Sequence, residues 1–115
     1  MWVYRIEDPL GRGPYTSDML CPSVEKLRLK HNSDESRNNS RPGALDDFYP
    51  IVGLRHIYGC PSLSKLRRWF GPFIGELILD GFRLVRYDVP EQKIRVSKSG
   101  KQVAFLPHYE KVMIR

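Results

Sequence analysis

The sequence predicts an α+β fold, a mostly antiparallel sheet with two or three short helices, and the order of its patterns indicates this class. A strand pattern opens the chain, helical patterns occupy its middle, and several strand patterns close it. Strands and helices that are segregated in this way are typical of α+β domains, whereas parallel sheets alternate the two. A length of 115 residues is ordinary for one domain. We therefore expect a single domain over residues 1–115.

The first predicted elements are a strand and a short helix. Residues 2–6 are β-branched and aromatic without a breaker, so they predict a strand that ends at Asp8 and Pro9. Turn residues follow at 11–14. Residues 23–30 predict a helix with Ser23 as its N-cap and with cations in its last turn.

A polar segment separates this helix from the rest of the chain. Residues 32–43 contain no aliphatic or aromatic side chain. Burial cannot offset the entropy lost when such a segment is ordered, so we expect an exposed polar loop there. A strand pattern weakened by Gly53 follows at 51–58.

The clearest helix begins after Ser62, a good N-cap, and ends at Gly71. Its residues Leu63, Leu66 and Phe70 share one face. A second helix is predicted over residues 72–81. Three strands should close the chain, over 82–89, 93–97 and 102–106, with a short edge segment at 111–115. In the second of them cations should point outward and aliphatic side chains inward.

Charge is distributed unevenly along the chain. Residues 1–61 carry eight Lys and Arg against eight Asp and Glu, whereas residues 62–115 carry eleven against five, which is the whole net charge of +6. This asymmetry indicates a basic face that meets nucleic acid or an acidic protein surface. The alternative is an ordinary solvated face. The predicted electrostatic contacts are Arg67, Arg68, Arg83, Arg86, Arg95 and Lys98.

The sequence contains no complete motif for metal binding or catalysis. Two Cys and three His offer no local pair of the kind that zinc sites use, so no metal is expected. The one nearby Cys/His pair is Cys60 with His56, and the predicted strand and turn do not require them to face each other. A disulfide between Cys21 and Cys60 stays open, although a cytoplasmic location disfavours it. We therefore predict no catalytic residue and no cofactor.

The chain also offers no membrane or export signal. No apolar run approaches the roughly 18 residues of a membrane span, and no signal-peptide pattern opens the chain. We therefore expect no membrane partner and a cytoplasmic location.

Trp69 lies beside Arg67 and Arg68, and proteins that bind single-stranded nucleic acid combine aromatic and cationic side chains in this way. A tryptophan at a helix end is also typical of a core position.

Three stretches resemble small proteins of bacteriophages and prophages. They are residues 3–7 with 13–15, the pattern Ser-Leu-x-x-Leu-x-x-Trp-Phe at 62–70, and Gly81 with Phe82 before a strand. Proteins of that kind are often accessory factors, and some block a host defence protein, as anti-CRISPR proteins do. The resemblance implies a non-catalytic protein that docks on a host protein or protein–nucleic acid complex in the host cytoplasm.

A second set of residues resembles the ADP-ribosyltransferase-like fold. Arg5 would match the basic residue on that family's first strand, and Ser62 its Ser motif. Gln102 stands where the family has a Glu, and a neutral amide stabilises a developing positive charge far less than a carboxylate does. This resemblance implies an NAD-binding, degenerate enzyme as an alternative. Nucleic-acid binding is a second alternative.

Overall fold

A computed structural model describes residues 1–32, 47–48 and 52–115. The described helices are α1 (Pro22–His31), α2 (Leu63–Phe70) and α3 (Phe73–Leu79). The described strands are β1 (Trp2–Glu7), β2 (Ile57–Gly59), β3 (Arg83–Asp88), β4 (Arg95–Val96), β5 (Val103–Phe105) and β6 (Lys111–Met113). A 3₁₀ turn (Glu91–Lys93) precedes β4. The predicted α+β class is confirmed.

The strands form two antiparallel three-stranded sheets. The first has the order β1-β3-β6 and the second the order β2-β5-β4. Backbone hydrogen bonds of 2.9 Å in both directions between Tyr4 and Cys60 join the sheets. Gly59 permits this close approach, because a Cβ there would lie 2.5 Å from Val3 Cγ1. The two sheets therefore meet along β1.

β1 and β3 form the centre of the fold because both of their faces are covered. Side chains alternate between the faces of a strand. Val3 and Val85 point to one face and pack in a core with Phe105 of the second sheet. Ile6 and Leu84 point to the other face and pack with the apolar sides of the helices. The first sheet thus lies between the helices and the second sheet.

The two longer helices begin differently. The Ser62 hydroxyl caps α2 by accepting a hydrogen bond from the Lys65 N–H at 3.2 Å, and Gly71 ends this helix with φ +52°, as predicted. In α1, however, the N-cap is Cys21. The prediction of Ser23 as the cap is wrong, because its hydroxyl donates to the Asp80 carboxylate instead.

Two strand predictions are wrong in extent. In the described part of 51–58, only Ile57 and Tyr58 belong to a strand, because the His56 N–H bonds to the Gly53 carbonyl in a turn. Of residues 93–97, only Arg95 and Val96 form a strand. Their predicted orientation is also wrong, since Val96 is 58% exposed and Arg95 is half-buried.

Other predictions have mixed outcomes. The edge segment is confirmed as β6, which pairs with β3, and the closing strand at 102–106 is confirmed as β5. The loop predicted over 32–43 lies, from residue 33 onward, outside the described residues. No helix in the described part of the chain is apolar and long enough to cross a bilayer.

Candidate functional site

A cleft of about 590 Å³ opens beside β1 and β2. Small-molecule sites commonly measure roughly 300–1,000 Å³. The described residues that line this cleft are aromatic, cationic, apolar or neutral polar, and none of them is acidic. The polar and aromatic side chains of the lining include Arg5, Arg12, Tyr15, His56, Tyr58 and Trp69.

Arg5 lies in the wall of this cleft and is 8% exposed. Its Nε donates to Glu7 at 2.8 Å, and its Nη1 donates to the Tyr58 carbonyl. Its Nη2 donates to the Gly11 carbonyl at 3.1 Å. The guanidinium therefore joins β1 to β2 and to the loop that follows β1.

Glu7 balances the charge of Arg5 and is almost fully buried. Its carboxylate also accepts hydrogen bonds from Lys111 Nζ at 2.9 Å and from the Tyr87 hydroxyl at 2.5 Å. Burial alone raises the pKa of Glu7, but the bonds from Lys111 and Tyr87 and the charge of Arg5 outweigh it, so this pKa is lowered. Burial and the Glu7 carboxylate raise the pKa of Tyr87. Glu7 is therefore a buried carboxylate that holds β1, β3 and β6 together.

The loop after β1, residues 8–17, forms another wall of the cleft around Asp8. The N–H groups of Leu10 and Arg12 each donate to Asp8 Oδ1 at 2.9 Å, and the Ser17 hydroxyl donates to Oδ2 at 2.5 Å. Burial raises the pKa of Asp8, but these donors outweigh it and the pKa is lowered. The loop is therefore ordered by a carboxylate within itself.

An aromatic cluster closes a further side of the cleft. Trp69 Nε1 donates to the Tyr15 hydroxyl at 2.9 Å, and that hydroxyl also bonds to His31 Nδ1. The Tyr15 and Phe70 rings stack with centroids 6.0 Å apart. Because these contacts restrain the Trp69 indole and the Tyr15 ring, both side chains have a defined orientation at the rim of the cleft. The core position considered for Trp69 is only partly correct, since its side chain is half-buried and lines the cleft.

Cys60 and His56 also line the cleft. Burial raises the pKa of the Cys60 thiol to about 12, which the charges of Arg5 and Lys65 only partly offset. The thiolate is the nucleophilic form of cysteine, so Cys60 stays protonated and unreactive at neutral pH. Cys21 and Cys60 are both free.

A second feature is basic and lies on α2 and on the hairpin of β4 and β5. Neither α2 nor residues 92–109 contain an Asp or Glu. Lys65 Nζ donates to the Gly100 carbonyl at 2.7 Å, which joins the helix to the hairpin. We call this the basic surface, and its residues are Lys65, Arg67, Arg68, Arg95, Lys98 and Lys101.

The hairpin turn, residues 97–102, is held by a distant buried carboxylate. Asp47, which is 3% exposed, accepts hydrogen bonds from the Ser99 N–H at 2.8 Å and from its hydroxyl at 2.7 Å. It also accepts from Gln102 Nε2 at 3.0 Å, and the Lys98 N–H donates to its carbonyl. Burial raises the pKa of Asp47, but hydrogen bonds from Gln102 and Ser99 outweigh it, so the pKa is lowered.

The predicted contact residues fall into two groups. Arg67, Arg68, Arg95 and Lys98 belong to the basic surface. Arg83 and Arg86 lie three positions apart on β3 and therefore point to opposite faces of the first sheet. The Arg86 guanidinium lies 4.0 Å from the centre of the Trp2 ring.

The three residues of the NAD-binding alternative do not all meet. Arg5 and Gln102 line the cleft. Ser62 is not among the lining residues, and its hydroxyl caps α2 instead. Gln102 donates to Asp47, so it supports the hairpin turn at this position.

Sequence reasoning missed Arg12, Tyr15 and both organising aspartates. The Asp8 loop has a local signal, because an Asp that precedes a Gly-rich turn often bonds to the backbone just after it. Asp47 and its hairpin partners are 52 to 55 residues apart, and no local pattern links them. The acid-free run over 92–109 was readable directly from the sequence.

Comparisons with known proteins identify the family. Neither the curated proteins nor the solved structures gave a match. A family model described as the Bacteriophage T4 Y00F protein matches residues 1–114, which confirms the resemblance to phage proteins. With nearly its whole length matched, the chain belongs to the Bacteriophage T4 Y00F protein family.

Proposed function

We propose that this phage protein is a non-catalytic accessory factor that docks on an acidic host protein through its basic surface and thereby modulates or inhibits it. The observation that carries the proposal is the hydrogen bond from Lys65 Nζ to the Gly100 carbonyl. It brings two acid-free, cation-bearing elements side by side.

The charges of the basic surface support docking because they are available to a partner. Arg67, Arg68 and Lys98 are exposed and form no ion pair with the residues that the structure describes. Like charges on one surface steer an oppositely charged protein and raise its association rate.

The partner class follows from the phage family and from the charge. A phage accessory factor meets host proteins in the host cytoplasm, and a basic docking surface selects acidic ones. A host defence or regulatory protein, the kind of target that anti-CRISPR-like inhibitors block, is the partner that we propose.

The test compares matched charge reversals. The double variant R67E/K98E removes charge from the basic surface, and K26E/R115E makes the same change in net charge elsewhere. Lys26 lies on α1 beside the acidic Glu25, and Arg115 follows β6, which is at the opposite edge of the first sheet from β1. Each tagged protein is incubated with host lysate, and the captured proteins are quantified by mass spectrometry.

We expect an acidic host protein to be captured by the wild type and by K26E/R115E but lost with R67E/K98E. Equal capture by all three proteins would contradict the proposal. Arg83 and Arg86 remain predicted contacts, and the single variants R83E and R86E test them in the same assay.

The alternatives have separate measurements. Calorimetry with NAD tests the binding site of Arg5, Ser62 and Gln102, and a bound cofactor should also raise the melting temperature. Fluorescence anisotropy with single- and double-stranded oligonucleotides tests nucleic-acid binding, which should weaken steeply with salt.

A further inference from the structure

We propose that the cleft beside β1 is a binding site for a free 5′-nucleotide, whose base stacks on Trp69 and whose phosphate contacts Arg5 and Arg12. No residue of the basic surface lines this cleft, so either proposal can fail without the other.

The shape and charge of the cleft favour this ligand class. Its volume of about 590 Å³ lies within the usual range for small-molecule sites. Its described lining contains two arginines and no acidic side chain, although Glu7 and Asp18 pair with these arginines from outside the lining. Aromatic side chains beside these cations match a ligand that has both a flat ring and a negative charge.

Arg5, in the wall of the cleft, has N–H donors that its described contacts do not use. A guanidinium has five N–H donors, and the described contacts of Arg5 use one on each of its three nitrogens. One N–H on each terminal nitrogen therefore remains for a phosphate oxygen. Because Glu7 also accepts from Lys111, this group of three side chains keeps one positive charge.

Arg12 supplies the second cation, at the mouth of the cleft. Its side chain is 45% exposed and is paired with Asp18, which is 84% exposed. Exposed ion pairs contribute little to stability, so a phosphate can replace the Asp18 carboxylate at low cost. Arg12 is therefore the residue through which ligand affinity can be changed without unfolding the protein.

Trp69 provides a stacking surface whose orientation is already set. Its Nε1 is bonded to Tyr15, and Tyr15 stacks on Phe70. A fixed ring loses little conformational freedom when a ligand binds, which favours affinity. Aromatic rings and arginines together bind nucleotide bases through stacking and cation–π contacts.

The test uses Trp69 as the reporter. The chain has two tryptophans, and Trp2, which packs against Arg86, is not among the residues that line the cleft, so the variant W2F leaves Trp69 as the only one. Its fluorescence is titrated with AMP, GMP, CMP and UMP, and separately with adenosine, with inorganic phosphate and with a ten-nucleotide single strand. We expect at least one monophosphate to saturate the signal, and adenosine and phosphate to bind about tenfold more weakly or worse.

A matched pair of variants locates the site. R12Q should weaken the binding of the monophosphate by about tenfold, because it removes a charged hydrogen bond. R67Q makes the same chemical change on the basic surface and should leave this affinity unchanged. Calorimetry provides the affinities without relying on fluorescence.

Three outcomes would overturn the proposal. The first is that none of the four monophosphates saturates below about 1 mM. The second is that R12Q binds as tightly as R67Q. The third is that only the ten-nucleotide strand binds, which would assign the cleft to nucleic acid instead of a free nucleotide.

Discussion

Two loops of this protein are each built around a buried aspartate, but they are built over very different distances along the chain. Asp8 binds N–H and hydroxyl groups two, four and nine residues away. Asp47 binds groups 52 to 55 residues away. The first loop forms a wall of the cleft, and the second carries part of the basic surface.

The difference means that the two candidate binding elements depend on the fold to different degrees. The Asp8 loop contains its own acceptor, so its shape follows mainly from residues 8–17. The hairpin turn has its shape only when Asp47 is packed against it. Damage to the global fold should therefore affect the basic surface before it affects this wall of the cleft.

The largest effect is expected for Asp47→Ala. It removes three hydrogen bonds to a charged acceptor and leaves donors at Gln102, which is 6% exposed. We expect a loss of about 3 kcal/mol in the free energy of unfolding, measured by urea denaturation. The exposed Asp18→Ala is the control, with a change of about 0.5 kcal/mol or less. Equal losses for the two variants would contradict the role of Asp47.

A smaller effect is expected for Asp8→Ala. Leu10 and Arg12 are exposed, so water can replace the carboxylate at their N–H groups. We expect a loss of about 1–2 kcal/mol. The comparison predicts that Asp47→Ala is the more destabilising of the two in parallel urea titrations, and the reverse order would refute it.

The pH dependence of stability should reflect these same carboxylates. The pKa values of Glu7, Asp8 and Asp47 are lowered in the folded protein, while in the unfolded chain these pKa values are about 4. Their contributions are therefore complete above about pH 4 and are lost as the pH falls through the folded values. We expect the urea midpoint to drop on acidification, less steeply in Asp47→Ala than in the wild type. Stability that is constant to pH 2 would contradict this.

The part of the fold that sequence predicts well is the part decided locally. β1, β3 and the capped helix α2 follow from strand composition and from Ser62 and Gly71. Two nearly identical segments show the limit, since residues 21–28 and 60–67 match at six of eight positions. Their helices begin differently because Ser23 meets Asp80, which lies 57 residues further along.

The candidate sites show the same limit. Charge alone predicts Arg67, Arg68, Arg95 and Lys98 as contact residues, but their arrangement depends on the Lys65–Gly100 contact across 35 residues. Arg83 and Arg86 have the same charge, and the pleat of β3 separates them from each other. Charge is a property of composition, whereas a charged surface is a property of the fold.

The salt dependence of partner affinity tests the central claim most directly. The acidic host protein recovered with the wild type is titrated against the wild type, R67E/K98E and K26E/R115E at increasing NaCl concentration. We predict that affinity for the wild type and for K26E/R115E falls steeply with salt, and that R67E/K98E binds at least about tenfold more weakly at low salt. Affinity that is independent of salt and equal for all three proteins would contradict docking through the basic surface.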